Sequence, residues 1–296
     1  MGILLGLLSA LSWGSSDLLA RFASRKIGTL RAMLYMQLTG FVLLTVALHW
    51  LGGLGRLAGG DWRPWVWGIS VGALNTCATL ALYRSFEIGK MSIVGPISAS
   101  YPALTMILSA LTGERLTVVR LAGFVLILLG VVVVAQGEEV PGHANPVDSK
   151  RSPEGSKLGV GWALLAAFGF GVMFWILGLR VIPLLGSAPT VWVIRLTSAM
   201  LTALVILLLR QPMKAPDREA NPFILGMGFL DTSAYVLNNY GMQMEQVSVV
   251  SVLASLYGAV TVGLAATILG ERISRMQWLG IISIFVGIVL ISRWGL

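Results

Sequence analysis

Charge is the scarcest commodity in this chain. Of its 296 residues, 11% are charged and 56% are hydrophobic. A soluble domain has about a quarter of its residues charged. This chain therefore lacks the polar surface to coat a water-facing body, and lipid is the natural solvent for its surplus apolar area. Cysteine is almost missing as well. Cys77 stands alone, which excludes an internal disulfide, and it sits in an apolar run as a packing residue. The two histidines, His49 and His143, lie far apart and without metal-ligand spacing. HExxH and phosphate-loop patterns are lacking. These absences argue against an enzyme, a metal or other cofactor, and ATP-driven transport by this chain alone. The net charge of +8 would suit nucleic acid in a soluble protein. Here Lys and Arg fall in short segments between apolar runs, which is the pattern of membrane loops, so no nucleic-acid partner is expected.

What is present is a series of apolar runs. A helix needs about 17–25 residues to cross a bilayer. Ten candidates occur: 3–20, 32–50, 65–83, 91–112, 118–136, 158–179, 188–209, 222–242, 247–269 and 277–292. Lipid cannot satisfy exposed backbone groups, and these runs lack the alternation of a barrel strand, so they read as helices. The first has no basic flank before it and reads as a span, not a cleaved signal. Residues 137–157 form a polar linker rich in Pro, Gly, Ser and charge. It separates a unit at 1–136 from one at 158–296.

The two units repeat each other. Gly113-Glu114-Arg115 recurs as Gly270-Glu271-Arg272, and Gly123 and Gly130 recur as Gly280 and Gly287, all at an offset of 157. Tyr101-Pro102 aligns with Tyr257-Gly258, and Asn75 with Asp231, at 156. Gln37 aligns with Arg195 at 158. Each unit has five spans, an odd number, so the second lies inverted relative to the first. The expected fold is an all-α membrane protein of ten transmembrane helices in two inverted five-helix repeats. Inverted repeats are a recurring build of secondary transporters, with the substrate held near mid-membrane between them.

Trp13-Gly14-Ser15-Ser16, Tyr101-Pro102 and the duplicated Gly-Glu-Arg signatures with their trailing glycines resemble the drug/metabolite transporter superfamily, specifically its EamA-type ten-helix members. The resemblance covers nearly the whole chain apart from the linker. It implies a transporter of small molecules, in a class that moves amino acids, nucleobases, sugars, amines and drugs. Gly258 stands where the family often has a second proline, and Gln37 where it often has an arginine.

Asp17, Arg195 and Asp231 are full charges inside the spans, and Arg120 is a fourth, in the first turn of the span at 118–136. A charge at membrane depth costs at least about 2.5–3.5 kcal/mol and marks a functional site by default. Counting rise per residue puts Arg195 and Asp231 within roughly 7 Å of each other in depth. They are expected to pair, or nearly pair, in a central cavity, with Gln37 and Asn75 as the neutral equivalents from the first repeat. Arg195 would hold an anionic group, or Asp231 would exchange a proton; a structural ion pair is the competing reading. Asp17 is placed three residues from the end of its span, at the interface. Trp13, Trp175, Tyr101, Tyr235 and Tyr257 could stack on a ligand or pack against lipid. Pro102 and Gly258 are expected hinges. Glu and Arg of the Gly-Glu-Arg turns read as surface caps. Gly2/Gly6 and Gly68/Gly72 have the spacing for close helix packing.

Together these point to a secondary transporter, an exporter of a small polar or amphipathic metabolite or drug in the plasma (inner) membrane, with proton coupling open to it. A lipid or lipid-precursor flippase is the alternative. The expected partners are the substrate and the bilayer, with a homodimer one assembly open to it. Lys and Arg concentrate after the odd-numbered spans, which places the termini outside; the resemblance implies the reverse.

Overall fold

The computed structural model describes residues 1–51, 53, 55, 62–112, 117–136, 153–244, 250 and 253–293. The first Gly-Glu-Arg signature, His143 and linker residues 137–152 lie outside them. The first unit contains α1 (Gly2–Ile27), α2 (Thr29–Trp50), α3 (Arg63–Ile88), α4 (Met91–Ser98), α5 (Pro102–Leu111) and α6 (Val118–Gln136). The second contains α7 (Pro153–Ile176), a π-helical turn (Leu177–Val181), α8 (Ile182–Leu185), α9 (Ser187–Leu208), α10 (Asn221–Met244), α11 (Tyr257–Thr267) and α12 (Arg275–Arg293). Among the described residues these make ten spans, since α4 and α5 share one, α7 and α8 share another, and residues 253–255 lead into α11. Six are long and apolar enough to cross a membrane by composition alone, and three more are shorter apolar helices. The remaining one, α10, is 24 residues long and buries Asn238 and Asn239.

The helices are built with small and polar groups inward. In α1, Gly6, Ser9, Ala10 and Trp13 are buried while Ile3, Leu4 and Leu11 are exposed. Lipid is as apolar as leucine, so helices in it associate through close packing and interhelical hydrogen bonds. Ser9 and Ser16 of α1 accordingly donate to the Ala234 and Met227 carbonyls of α10. Cys77 is exposed on the outer surface of α3. It is not the interior packing residue its apolar run suggested, because both faces of such a run are apolar and only one is buried.

Packing follows the duplication. α1 lies along α10 and α3 along α7, which is one contact with the repeats exchanged. α2 packs on α9 and α6 on α12, each helix meeting its own counterpart, and α4 of the fourth span packs on α11 of the ninth, so that these counterpart spans meet as well. The close approaches obey the same exchange. A Cβ on Gly72 would come within 2.6 Å of Thr197 Cβ, and one on Gly228 within 2.7 Å of Thr39 Cβ. A Cβ on Gly14 would meet Val260 Cβ at 2.5 Å, and one on Gly171 would meet Leu104 Cβ at 2.8 Å. Gly130 and Gly280 each face the other's carbonyl oxygen.

The turns match too. Gly28 joins α1 to α2 at φ 85°, and Gly186 joins α8 to α9 at φ 79°. Both need a left-handed backbone that glycine reaches without strain. These glycines are offset by 158, whereas Gly14 and Gly171 are offset by 157. The π turn at Leu177–Val181, with its wider i→i+5 ring, absorbs the extra residue. Gly130→Leu should therefore lower stability by about 1–3 kcal/mol through overpacking, read as a drop in melting temperature in detergent. Gly161→Ala, with nothing within 4 Å of its Cβ position, should leave it unchanged or raise it slightly.

Candidate transport site

The fourth and ninth spans are both interrupted. Residues 99–101 break the helix between α4 and α5, and a turn at Leu256 precedes α11. Pro102 has no N–H to return to the Ser98 carbonyl, which is why the helix cannot run through. Tyr101 lies in the first break and Tyr257 directly after the second. The breaks touch: the Tyr257 hydroxyl donates to Ser98 Oγ at 3.2 Å. A Cβ on Gly258 would meet Ala99 Cβ at 2.7 Å, so this contact requires glycine there.

Beside the breaks is a narrow cavity of about 30 Å³. α1 contributes Trp13 and Asp17; α3 contributes Thr79, Leu82 and Tyr83; Tyr101 and Tyr257 come from the breaks. The opposite walls are Phe170 and Phe174 of α7 with Asp231 and Tyr235 of α10. Most of these are repeat counterparts. Trp13 pairs with Phe170 and Asp17 with Phe174 at 157; Thr79 pairs with Tyr235 and Tyr101 with Tyr257 at 156. The cavity thus straddles the axis relating the repeats. Its rings interlock: Trp13 stands edge-on to Tyr235 at 5.0 Å, and Phe174 stacks on Tyr101 at 4.9 Å.

Arg195 is fully buried beside this cavity, at 0% exposure. It forms an ion pair with Asp231 through Nη2. Nη1 donates to Gln37 Oε1 at 2.8 Å and to the Met36 sulfur at 3.4 Å. Its guanidinium carbon lies 5.1 Å from the Tyr235 ring centroid, within cation–π range. The Tyr235 hydroxyl donates to Asn75 Oδ1 at 2.7 Å, and Asn75 Nδ2 donates to Ser198 Oγ at 3.1 Å. The four expected polar residues thus form one connected group across α2, α3, α9 and α10. Of them only Asp231 lines the cavity. Arg195, Gln37 and Asn75 stand behind the wall.

Asp17 differs from its expected place at an interface. α1 continues to Ile27, so Asp17 is mid-helix, 5% exposed, with Oδ2 accepting from Thr261 Oγ1 at 3.1 Å. The span runs on because the charge that appeared to end it is neutralised: Arg21 pairs with Glu271 at 2.9 Å, and both side chains are buried. Arg21 also donates to the Gly89 carbonyl at 3.3 Å. Glu271 accepts from the backbone N–H groups of Met91 and Ser92 at 3.2 and 2.9 Å, capping α4. Glu271 of the second Gly-Glu-Arg turn is therefore no surface cap, while its neighbour Arg272 is exposed. It ties α1, the start of α4 and the α11–α12 turn together on the face where α1 ends.

Residues 1–136 and 157–293 each match the EamA-like transporter family. The chain belongs to the EamA-like transporter family. It is a multi-pass membrane protein of the drug/metabolite transporter superfamily. An uncharacterized protein of Methanocaldococcus jannaschii is 30% identical over 135 residues, which is 45% of this chain and 95% of that protein. That relative is thus about as long as one repeat. A solved crystal structure shares the fold with a TM-score of 0.67 at 22% identity, over 98% of this chain and 95% of the other.

Several wall residues of this EamA protein were not singled out from the sequence. Thr79 lies one turn beyond Asn75 on α3 and Leu82 and Tyr83 two turns beyond it, and Phe170 and Phe174 are four apart on α7. Trp175 was singled out, but it is half-buried and points its indole N–H to Thr112 Oγ1 at 3.5 Å; its neighbour Phe174 faces the cavity. The repeat alignment carries the missing signal, since Phe174 is the counterpart of Asp17.

Removing one partner of a buried ion pair costs about 3–5 kcal/mol, because the other charge is left uncompensated. Arg195→Gln should therefore lower the melting temperature sharply, and Arg195→Gln with Asp231→Asn should recover part of the loss. Glu271→Ala should also destabilise strongly. Glu219→Ala, which removes the exposed pair with Lys26, should not. Thermal unfolding followed by size-exclusion chromatography reads all four.

Proposed function

We propose that this EamA-family chain is a secondary active transporter that exports a small polar or amphipathic metabolite or drug across the cell membrane by alternating access. The cavity straddling the repeat axis carries the reading. It lies between two inverted units, beside two helix breaks, and is walled by counterparts from both. Exchange of the repeats' conformations would turn the same walls from one membrane face to the other. The breaks at 99–101 and Leu256, with Pro102 and Gly258 beside them, are the hinges we assign to that movement. The Arg21–Glu271 tie holds the face where α1 ends in the closed arrangement. Asp17 and Asp231, the carboxylates of the wall, suit coupling to protons.

Among the described residues, the walls hold aromatic rings, two carboxylates, Thr79 and Leu82, with neither lysine nor arginine. The two units, 1–136 and 158–296, act in this reading as the moving halves about linker 137–157.

A proteoliposome flux screen over amino acids, amines and nucleosides, with and without a pH gradient, tests this. We expect gradient-dependent flux of at least one class, abolished by Leu82→Trp, which fills the cavity. Flux that survives this substitution, or movement of labelled phospholipid in its place, would overturn the proposal.

A further inference from the structure

We propose that a second site lies on the lipid-facing side of the helix bundle, a groove that holds one anionic phospholipid by its headgroup at Arg31 and Arg84. The inference goes beyond the transport reading and does not depend on it.

The groove follows from how α7 and α9 meet. α8 and Gly186 join them at one membrane face, and each packs on α3. Toward the other face they part, and a space of about 410 Å³ opens between them. Trp162 of α7 forms one wall and Val205 and Leu209 of α9 the other, with Leu80 and Arg84 of α3 as the floor. The start of α2, from Gly28 to Arg31, closes the outer end. Cys77 is exposed, and it stands three residues before Leu80 and seven before Arg84, on the same face of α3. That face therefore looks out to the bilayer between α7 and α9.

Polarity is graded along the groove. Arg84 lies four residues before the last residue of α3 and Leu80 eight before it, which puts them about 6 and 12 Å inside the helix end. Val205 likewise lies a turn deeper than Leu209. Charged groups stand at headgroup level, apolar side chains stand below them, and the Trp162 indole lies near the boundary where tryptophan is common. A phospholipid carries its groups in the same order.

The cations have capacity left for an anion. Arg31 donates through Nη2 to the Lys214 carbonyl at 3.1 Å. Its Nε is buried without a partner, and among the described residues it has no carboxylate. Arg84 pairs with Glu87 at 2.8 Å, and Glu87 also accepts from the Thr29 hydroxyl. Two guanidiniums thus share one carboxylate, which leaves one positive charge unmatched. α2 starts here with no acidic residue in its first turn and with none of the described side chains capping it, so its dipole adds to the same field. A phosphodiester supplies the missing negative charge and acceptor oxygens.

The repeat provides an internal contrast. The counterpart groove, on the opposite face, has about 490 Å³ and is lined by Gly186 and Gln243, with no charged residue among those described. Gly186 is the counterpart of Gly28 and Gln243 of Glu87, while Arg31 and Arg84 correspond to Pro189 and Tyr240. The groove is duplicated and its charge is not. Lys and Arg also concentrate in the loops of the face that bears the charged groove, which the positive-inside rule assigns to the cytoplasm. Anionic lipids enrich that leaflet. Because α2 and α3 belong to one unit and α7 and α9 to the other, the bound lipid braces the two units against each other.

The test is native mass spectrometry of the full-length protein, titrated with palmitoyl-oleoyl phosphatidylglycerol, the phosphatidylcholine of the same chains, and glycerol 3-phosphate. We expect the first phosphatidylglycerol to bind at least about tenfold more tightly than either of the others and to raise the melting temperature. Arg31→Gln combined with Arg84→Gln should abolish the preference. Arg272→Gln, which deletes an exposed cation outside the groove, should keep it. Equal binding of the two lipids would overturn the site. So would equally tight binding of glycerol 3-phosphate, which would mark a site for free phosphate. The same loss in Arg272→Gln as in the double variant would reduce the effect to diffuse surface charge and overturn it as well. The headgroup comparison on the unmodified protein stands even where the double variant fails to fold.

Discussion

The Arg195 guanidinium is the constraint around which the centre of this protein is arranged. It has no exposure, so every favourable interaction it makes must come from the protein. Asp231 supplies the charge and Tyr235 the ring, both from α10, and Gln37 of α2 supplies the carbonyl. Those obligations fix α2, α9 and α10 relative to one another. The glycine contacts follow from the same closeness: a Cβ on Gly40 would lie 2.2 Å from Thr232 Oγ1 and 3.1 Å from Arg195 Cδ. Tyr235, held by Arg195 on its ring and by Asn75 on its hydroxyl, then forms part of the cavity wall. A charge pair behind the wall thus positions an aromatic ring within it.

Symmetry and its violations divide the labour. Positions that set geometry are repeated: Gly28 and Gly186 at the turns, Gly72 and Gly228 against threonines, Tyr101 and Tyr257 at the breaks. Positions that set chemistry are not. Asp17 faces its counterpart Phe174 across the cavity, and Arg195 and Asp231 replace Gln37 and Asn75. In the transport reading proposed above, the duplicated scaffold accounts for two-sidedness and the unmatched residues for selectivity.

Much of this was legible in the sequence. Ten spans, the inverted duplication and the meeting of Arg195 with Asp231 follow from hydropathy, repeat offsets and depth. Three things were not. Asp17 was placed too shallow because Arg21 resembles the end of a span; its neutralisation by Glu271 depends on a turn 250 residues away in sequence. Glu271 was read as a surface cap for the same reason, since a loop glutamate gives no local sign of burial. Phe170, Phe174 and Tyr83 were passed over because an aromatic residue in an apolar helix reads the same whether it faces lipid or a cavity. The repeat offset of 157 identifies Phe170 and Phe174 as the counterparts of Trp13 and Asp17.

The central claim is that one cavity between inverted halves serves both membrane faces. Accessibility of a wall residue tests it most directly. Leu82→Cys, in a Cys77→Ser background, places the sole thiol of the chain on that wall. The account predicts that a membrane-impermeant maleimide labels this thiol when added to either side of sealed vesicles, and that substrate lowers the rate from both. Labelling that proceeds from one side alone under every condition, with or without substrate, would contradict it.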